Sequence, residues 1–323
     1  MLQVERLLAD CLDDARAEPQ AAVPLTADGP GYAAARRAFL TAGLQALREH
    51  TPDAGWVQLN VPLGAGRTYP YGDVAAAARE LLGAGLAREF FFMHKPPGLR
   101  LRFQAAEPSR ARELRTALRR RMTPPGVDCS WAPPVAEVYE PETYLFGGPR
   151  SMAHVHALFT VDSLAWLDLH TGAGGEPAPA DWRVSLALLA AVFDGLGIVG
   201  WEHRGVWQVV REETGRRLPG GLRDEARRHA ADGILAYWHQ SREARLAALP
   251  GSWREVVGPR AAAVQRAAER WRTRYFASGA ATVGARRAAA HHVIFHWNRG
   301  RLSTARQCLL TEALAGDGHE ERG

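Results

Sequence analysis

Residues 88–103 read REFFFMHKPPGLRLRF, two apolar runs on either side of Lys95, Pro96, Pro97 and Gly98. Aromatic and branched apolar residues bounded by strong turn formers predict two short strands joined by a tight turn. Side chains alternate faces along a strand, so Leu99, Leu101 and Phe103 share one face while Arg100 and Arg102 share the other. Two guanidinium groups on one strand face form either a solvated surface or a set of bidentate forks for an anionic or amide-rich ligand.

Outward from this hairpin the same alternation recurs. In WVQLNV, residues 56–61, Val57, Leu59 and Val61 oppose Trp56, Gln58 and Asn60, and Gln58 and Asn60 are candidate amide readers. Asp73 is a candidate N-cap for an alanine-rich helix to about Leu82. Ser109 to Met122 predicts a basic helix, and Val135 to Tyr139 a further strand. The order strand, helix, strand, strand, helix, strand is that of a ferredoxin-like split βαβ sheet, with helices on one face and the other free. From Pro149 to Leu314 the chain predicts helices with a Gly- and Pro-rich link at 171–179, which supply a cover. The expected class is α+β, a ferredoxin-like sheet region covered by a largely helical C-terminal half. N-terminal helices (2–17 and 32–50, joined by a link) occupy 1–50, the sheet region 51–145 and the helical region 146–323, all forming one compact domain.

The chain has 323 residues and a formal net charge of +5, with Lys95 as its single lysine. Its positive charge is therefore almost wholly arginine, scattered through the helices, and Schiff-base chemistry would have to use Lys95. Cys11, Cys129 and Cys308 are far apart and form no C-x-x-C pair, which argues against a cysteine zinc site or a disulfide framework and for a reducing compartment. The first residues carry acids among their apolar side chains and lack a cationic n-region, and no apolar run reaches the roughly 18 residues of a membrane span. The expectation is a cytoplasmic protein without membrane contact.

In the second half, Gly195, Gly197 and Gly200 spell G-x-G-x-x-G, but they follow an apolar helix rather than a strand, so a dinucleotide site is not expected. His292 and His296 lie four apart on a helix. The spacing suits zinc, yet no glutamate adjoins His292 and no third ligand is fixed, so no metal is expected and histidine acid–base chemistry fits better. The run YEPETYLFGG, residues 139–148, gathers Tyr139, Glu140, Glu142 and Tyr144 before a glycine pair. Asp162 and Ser163 fall mid-helix, where such residues are neutral to unfavourable, which points to a site or a bend.

Taken in order, Trp56 at a strand start, FFFMHKPPGLRLRF, YEPETYLFGG, MAHVHALFTVDS and FHWNRGRL resemble the C-terminal elimination domain of lantibiotic dehydratases and, more closely, the stand-alone thiopeptide-type bacteriocin biosynthesis proteins. The resemblance spans about Trp56 to Leu314. It implies either removal of glutamate from glutamylated Ser or Thr of a precursor peptide, or pyridine synthesis, which joins two dehydroalanines by formal aza-(4+2) cycloaddition. Elimination domains usually carry an arginine and a tyrosine before the glycine pair, where this chain has Leu145 and Phe146. The usual N-R-L is here Asn298, Arg299, Gly300. The loss of the cation favours a pyridine synthase that needs no cofactor, loses water and releases the leader peptide as a carboxamide. In this reading His296, helped by His292, moves protons. Asp162, Ser163 and Tyr144 are further catalytic candidates, and Gln58, Arg100, Arg102, Tyr139 and Glu142 hold the peptide. The expected partners are a precursor peptide with an acidic leader and other enzymes of the pathway, not nucleic acid. Glutamate elimination and a non-catalytic peptide-binding module stay open as alternatives.

Overall fold

The computed structural model describes residues 10–11, 30–50, 55–63, 68–123, 133–172 and 180–316. The chain divides into two compact units, 1–54 and 55–323. In the first, helix α1 (Pro30–His50) is tied to Asp10, whose carboxylate accepts from the Tyr32 hydroxyl and whose backbone oxygen accepts from Arg36. The helix expected over 2–17 lies outside the described residues apart from Asp10 and Cys11.

The second unit opens with β1 (Trp56–Pro62), α2 (Tyr71–Gly83), β2 (Ala87–Lys95), β3 (Gly98–Ala105), α3 (Ala111–Met122) and β4 (Val135–Glu137). The sheet order is β2-β3-β1-β4 with every described pairing antiparallel, as the split βαβ pattern requires. Its register pairs Val57 with Phe103, Leu59 with Leu101 and Val61 with Leu99, so one face is a continuous apolar surface that Phe90 and Phe92 of β2 extend. Leu114, Leu118 and Met122 of α3 and Val74, Ala78 and Leu81 of α2 are fully or almost fully buried, which supplies the cover such a surface demands. Each buried Phe or Leu contributes about 1.5–3 kcal/mol relative to exposure.

Several expected boundaries shift. Helix α2 begins at Tyr71 after Pro70, so Asp73 sits in the first turn and makes no side-chain cap; there it still complements the helix dipole. A 3₁₀ turn at Pro108–Arg110 precedes α3, and β4 ends at Glu137, which frees Tyr139 from the sheet.

The remainder is helical: α4 (Thr143–Phe146), α5 (Pro149–His170), α6 (Asp181–Leu196), α7 (Glu202–Glu213), α8 (Glu225–Trp238), α9 (Arg242–Ala247), α10 (Gly251–Arg274), α11 (Ala285–Arg299) and α12 (Thr304–Ala315). The G-x-G-x-x-G glycines end and pack a helix instead of cradling a phosphate. Gly197 caps α6 in the left-handed region at φ 72°, and a Cβ on Gly195 would run into the Gln265 backbone oxygen of α10. At the other departure from the family pattern, Gly300 leaves room for the ring of Trp166, which a Cβ would overlap.

Two helices close the outer edge of β2. Thr160 of α5 accepts from the Phe90 backbone N–H at 2.9 Å. Asn298 of α11 accepts from the His94 N–H at 2.8 Å and donates to the His94 carbonyl at 3.0 Å. One side-chain amide thereby copies the paired exchange of a neighbouring strand and satisfies groups that an open edge would leave bare.

Candidate functional site

The second sheet face carries the polar alternates. Register places Gln58 opposite Arg102 and Asn60 opposite Arg100, with Glu137 of β4 beside Gln58. Arg102 is buried, with 4% of its surface exposed. Its Nε donates to Gln58 Oε1 at 2.7 Å and its Nη1 to the Met93 sulfur at 3.3 Å. The Gln58 amide in turn donates to Glu137 at 3.1 Å. The guanidinium lies over the rings of Tyr139, at 4.8 Å, and Phe91, at 5.1 Å. No carboxylate comes within ion-pair distance of Arg102 among the described residues, and burial pulls its pKa down against weak support from Tyr139, Glu142 and Glu137. A buried guanidinium remains charged, so Arg102 is a pre-oriented cation lacking an anion. Arg100 Nη2 is 4.0 Å from Glu137, while its Nε and the Trp56 indole N–H are enclosed without partners. The face therefore offers mainly hydrogen-bond donors, complementary to carbonyls or a carboxylate.

An aromatic box borders it. Trp56 packs on His156 at 4.4 Å and on Tyr139 at 4.8 Å between ring centroids, and the Tyr139 hydroxyl is 2.8 Å from His156 Nε2. Burial, followed by the nearby cations Arg102 and Arg88, brings the His156 pKa from 6.5 down to about 3. Helix α5 brings His156 here because its position is one turn before Thr160, which is bound to β2.

A second polar cluster lies in the helical core, between α5, α6 and α11. Asp162 Oδ1 is 2.7 Å from His296 Nδ1, and Asp162 Oδ2 accepts from Arg299 Nε at 2.7 Å. His296 Nε2 is 3.0 Å from the Ser185 hydroxyl, which accepts from the Trp297 indole at 3.1 Å. Trp166 also points its indole N–H at His296 Nδ1, at 3.2 Å, but the shorter contact to a carboxylate takes precedence for the Nδ1 proton. Burial by itself would raise the Asp162 carboxyl; His296 and Arg299 outweigh it and hold the group well below the usual carboxylate range.

Ser185, His296 and Asp162 have the distances of a nucleophile–base–acid triad, yet each is 0% exposed and the Ser185 oxygen is occupied by two donors or acceptors. A substrate has no place there. Asp162, His292 and His296 also offer ligand atoms within 4.8 Å of one another. Both Asp162 oxygens are already held by His296 and Arg299, and a guanidinium at that carboxylate opposes a metal cation, so the residues do not fit a metal centre.

The predicted site thus separates into two. Gln58, Arg100, Arg102 and Tyr139 come together on the sheet face, with Glu142 half-buried at the start of α4. His296, His292, Asp162 and Ser163 are sealed in the core, and His292 and Ser163 have no hydrogen-bond partner there. The layer between is Phe159, whose ring is 5.1 Å from Phe91, 5.7 Å from His292 and 4.5 Å from the Arg299 guanidinium. The expectation that His296 and His292 reach the peptide is corrected accordingly. Tyr144 of α4 is 77% exposed. Its neighbour Phe146 takes the buried position of α4, and side chains two apart on a helix diverge by roughly 200°. Sequence reasoning missed His156, Ser185, Trp166 and Arg299 as site members. His156 alone carried a signal, as the lone polar residue on an otherwise apolar stretch of α5 beginning at Val155.

Three buried histidines give the fold an acid sensitivity. Burial lowers His94, His156 and His292 from 6.5 to about 3. Unfolding releases each ring to take a proton below pH 6.5, so the stability is complete above that pH and is lost as pH falls towards 3. The slope per group is at most about 1.4 kcal/mol per pH unit. The melting temperature is expected to drop steadily from pH 6.5 to 4.5, and proton uptake on unfolding should be measurable by calorimetry in buffers of different ionisation enthalpy. A flat melting temperature over that range would contradict the assignment.

A family model described as "Lantibiotic biosynthesis dehydratase C-term" matches residues 56–316. The crystal structure of the tRNA-dependent lantibiotic dehydratase MibB from Microbispora sp. 107891 is similar, with a TM-score of 0.53 and 17% identity over 82% of this chain. This chain spans 28% of the length of MibB, and the likeness is one of fold. The crystal structure of TsrL aligns with a TM-score of 0.41 and 15% identity, covering 80% of this chain and 93% of TsrL. No curated protein sequence matches. Among the described residues no helix is long and apolar enough to cross a membrane.

Proposed function

The chain belongs to the lantibiotic biosynthesis dehydratase C-terminal family, and on that premise we propose that it is a cofactor-independent pyridine synthase acting on a ribosomal precursor peptide. The observation that carries the reading is the sheet face: a buried, ring-stacked Arg102 without a carboxylate partner, flanked by the unpartnered donors of Arg100 and Trp56. A peptide backbone presents carbonyl acceptors at the spacing of a strand, and a surface rich in donors with apolar walls suits it. The choice between the two family chemistries rests on α4. Phe146 is buried against Phe159, Trp271 and Phe295, and Leu145 beside it is apolar, where an enzyme handling a glutamyl carboxylate would keep a cation.

In the proposed reaction one dehydroalanine and its preceding amide become an imidic acid, and the resulting 2-azadiene closes on the second dehydroalanine. Water then leaves the hydroxylated ring carbon, and the leader departs as a carboxamide to give the aromatic ring. Orientation and proton transfer are the enzyme's contributions. Arg100, whose side chain is 32% exposed, meets the peptide first, with Gln58 and Arg102 behind it and Trp56, Phe91 and Tyr139 as the apolar wall. The arginine excess favours an acidic leader through steering. The test is incubation of the purified protein with a leader-bearing peptide containing two dehydroalanines, followed by mass spectrometry. The expected products are a macrocycle, water and a leader carboxamide. Loss of glutamate from a glutamylated serine peptide instead would establish elimination, and binding without either reaction would establish a delivery module.

A further inference from the structure

We infer that the outward face of α3 is the docking surface for an acidic peptide segment, which under the proposed function is the leader of the precursor. The identification with a leader rests on that function; the affinity for acidic peptide does not. Leu114, Leu118 and Met122 are buried and seat α3 on the apolar face of the sheet, which turns Arg112, Arg115 and Arg119 to solvent. At about 100° and 1.5 Å per residue, these three arginines fall within an arc of roughly 60° and span about 10 Å along the helix.

None of the three guanidinium groups has a hydrogen bond or an ion pair among the described residues. The nearby acids are already taken, Glu113 by Arg110 at 2.8 Å and Glu80 by Arg121. Five arginines and one glutamate give α3 a local excess of +4 in a chain whose net charge is +5, so the rest of the chain is close to neutral in sum. Like charges three and four residues apart weaken a helix, and an interleaved acid would relieve them if the face met only solvent. Helix α10 supplies the contrast: it exposes Arg266, Arg270 and Arg274, but Glu269 lies among them.

The make-up of the face selects its occupant. No large apolar or aromatic side chain is exposed on α3, so it lacks the stacking groups that hold single-stranded nucleic acid and the apolar wedge that enters a bilayer. Three guanidinium groups in a row match the carboxylates of a short acidic stretch, each through a fork of N–H donors. Because α3 covers the sheet face opposite Arg102, the acidic segment and the reacting amides are held on different sides of the sheet. The stripe therefore serves capture and affinity rather than chemistry.

The experiment measures binding of a fluorescein-labelled oligoglutamate and of the leader-bearing bis-dehydroalanine peptide by fluorescence anisotropy over a salt series. It compares wild type with a triple variant, Arg112→Gln with Arg115→Gln and Arg119→Gln, and with a control of equal charge, Arg266→Gln with Arg270→Gln and Arg274→Gln. Glutamine has nearly the helix propensity of arginine, so circular dichroism should show all three proteins folded. The α3 variant is expected to bind both peptides about 10-fold more weakly at low ionic strength, the combined effect of three exposed ion pairs, with the gap closing as salt rises. Its turnover should lose in KM and not in kcat. Unchanged affinity, or an equal loss in the α10 control, would reduce the effect to net charge and overturn the docking surface. An oligoribonucleotide held more tightly than oligoglutamate by the same three arginines would overturn it in favour of nucleic acid. Oligoglutamate binding involves no turnover, so a wild type that makes no pyridine removes the leader and leaves the acidic-peptide surface standing.

Discussion

Asp162→Ala is expected to destabilise the protein by about 3–5 kcal/mol, the cost of leaving buried partners without their counter-charge. Arg299 is 0% exposed, and Asp162 is the one carboxylate it meets among the described residues. Removing it strands the guanidinium and unhooks the His296 ring from α5. The midpoint of urea unfolding should fall with the slope unchanged. A paired change, Asp162→Leu with Arg299→Met, removes both charges and should recover most of the loss, because an apolar pair of similar volume carries no desolvation cost. The depressed Asp162 pKa fixes the pH window: the contribution is present above about pH 4 and is lost as pH falls further towards the folded value. A single variant with native stability would show the network to be slack.

Arg102→Lys is expected to fail as completely as Arg102→Leu. The guanidinium meets the rings of Phe91 and Tyr139 while donating to Gln58 and Met93, and a lysine ammonium has neither the flat face nor the fork to do both. Losing a charge-assisted hydrogen bond of about 1.5–3 kcal/mol should lower kcat/KM by roughly 10–150-fold. Stability should fall as well, by about 1–3 kcal/mol, because the Gln58 oxygen that accepts from Arg102 is left buried without a donor. A fall in kcat/KM measured with the dehydroalanine peptide at a temperature where circular dichroism shows each variant fully folded separates the loss at the site from the loss of stability.

The sheet was legible in the sequence because strand alternation is strictly local. Leu99, Leu101 and Phe103 against Arg100 and Arg102 assign both faces without reference to any other element. The split of the polar residues into two clusters was not legible. Asp162 and His296 stand on helices far apart in sequence, and both carried chemistry suited to a reacting site. Whether they open onto the sheet face or into the core depends on the rotation of α5 and α11 about their axes, which Phe159 settles by filling the interval. His156 escaped notice for the opposite reason, as its apolar neighbours on α5 gave it the look of a core position. The mid-helix placing of Asp162 and Ser163 did signal something unusual, and it proved to be a buried ion pair instead of a bend.

The amide of Asn298 that closes the β2 edge sets an order on synthesis. The two residues it joins, His94 and Asn298, are 204 positions apart. At a typical rate of about 5–20 residues per second, the end of β2 waits on the order of 10–40 seconds for the helix that closes it. During that interval Thr160 of α5 can already hold the Phe90 N–H, but the His94 end of β2 keeps its N–H and C=O unpaired. A nascent chain of this protein therefore needs shielding late in translation, and truncations before α11 should be recovered as aggregates rather than as a free-standing sheet.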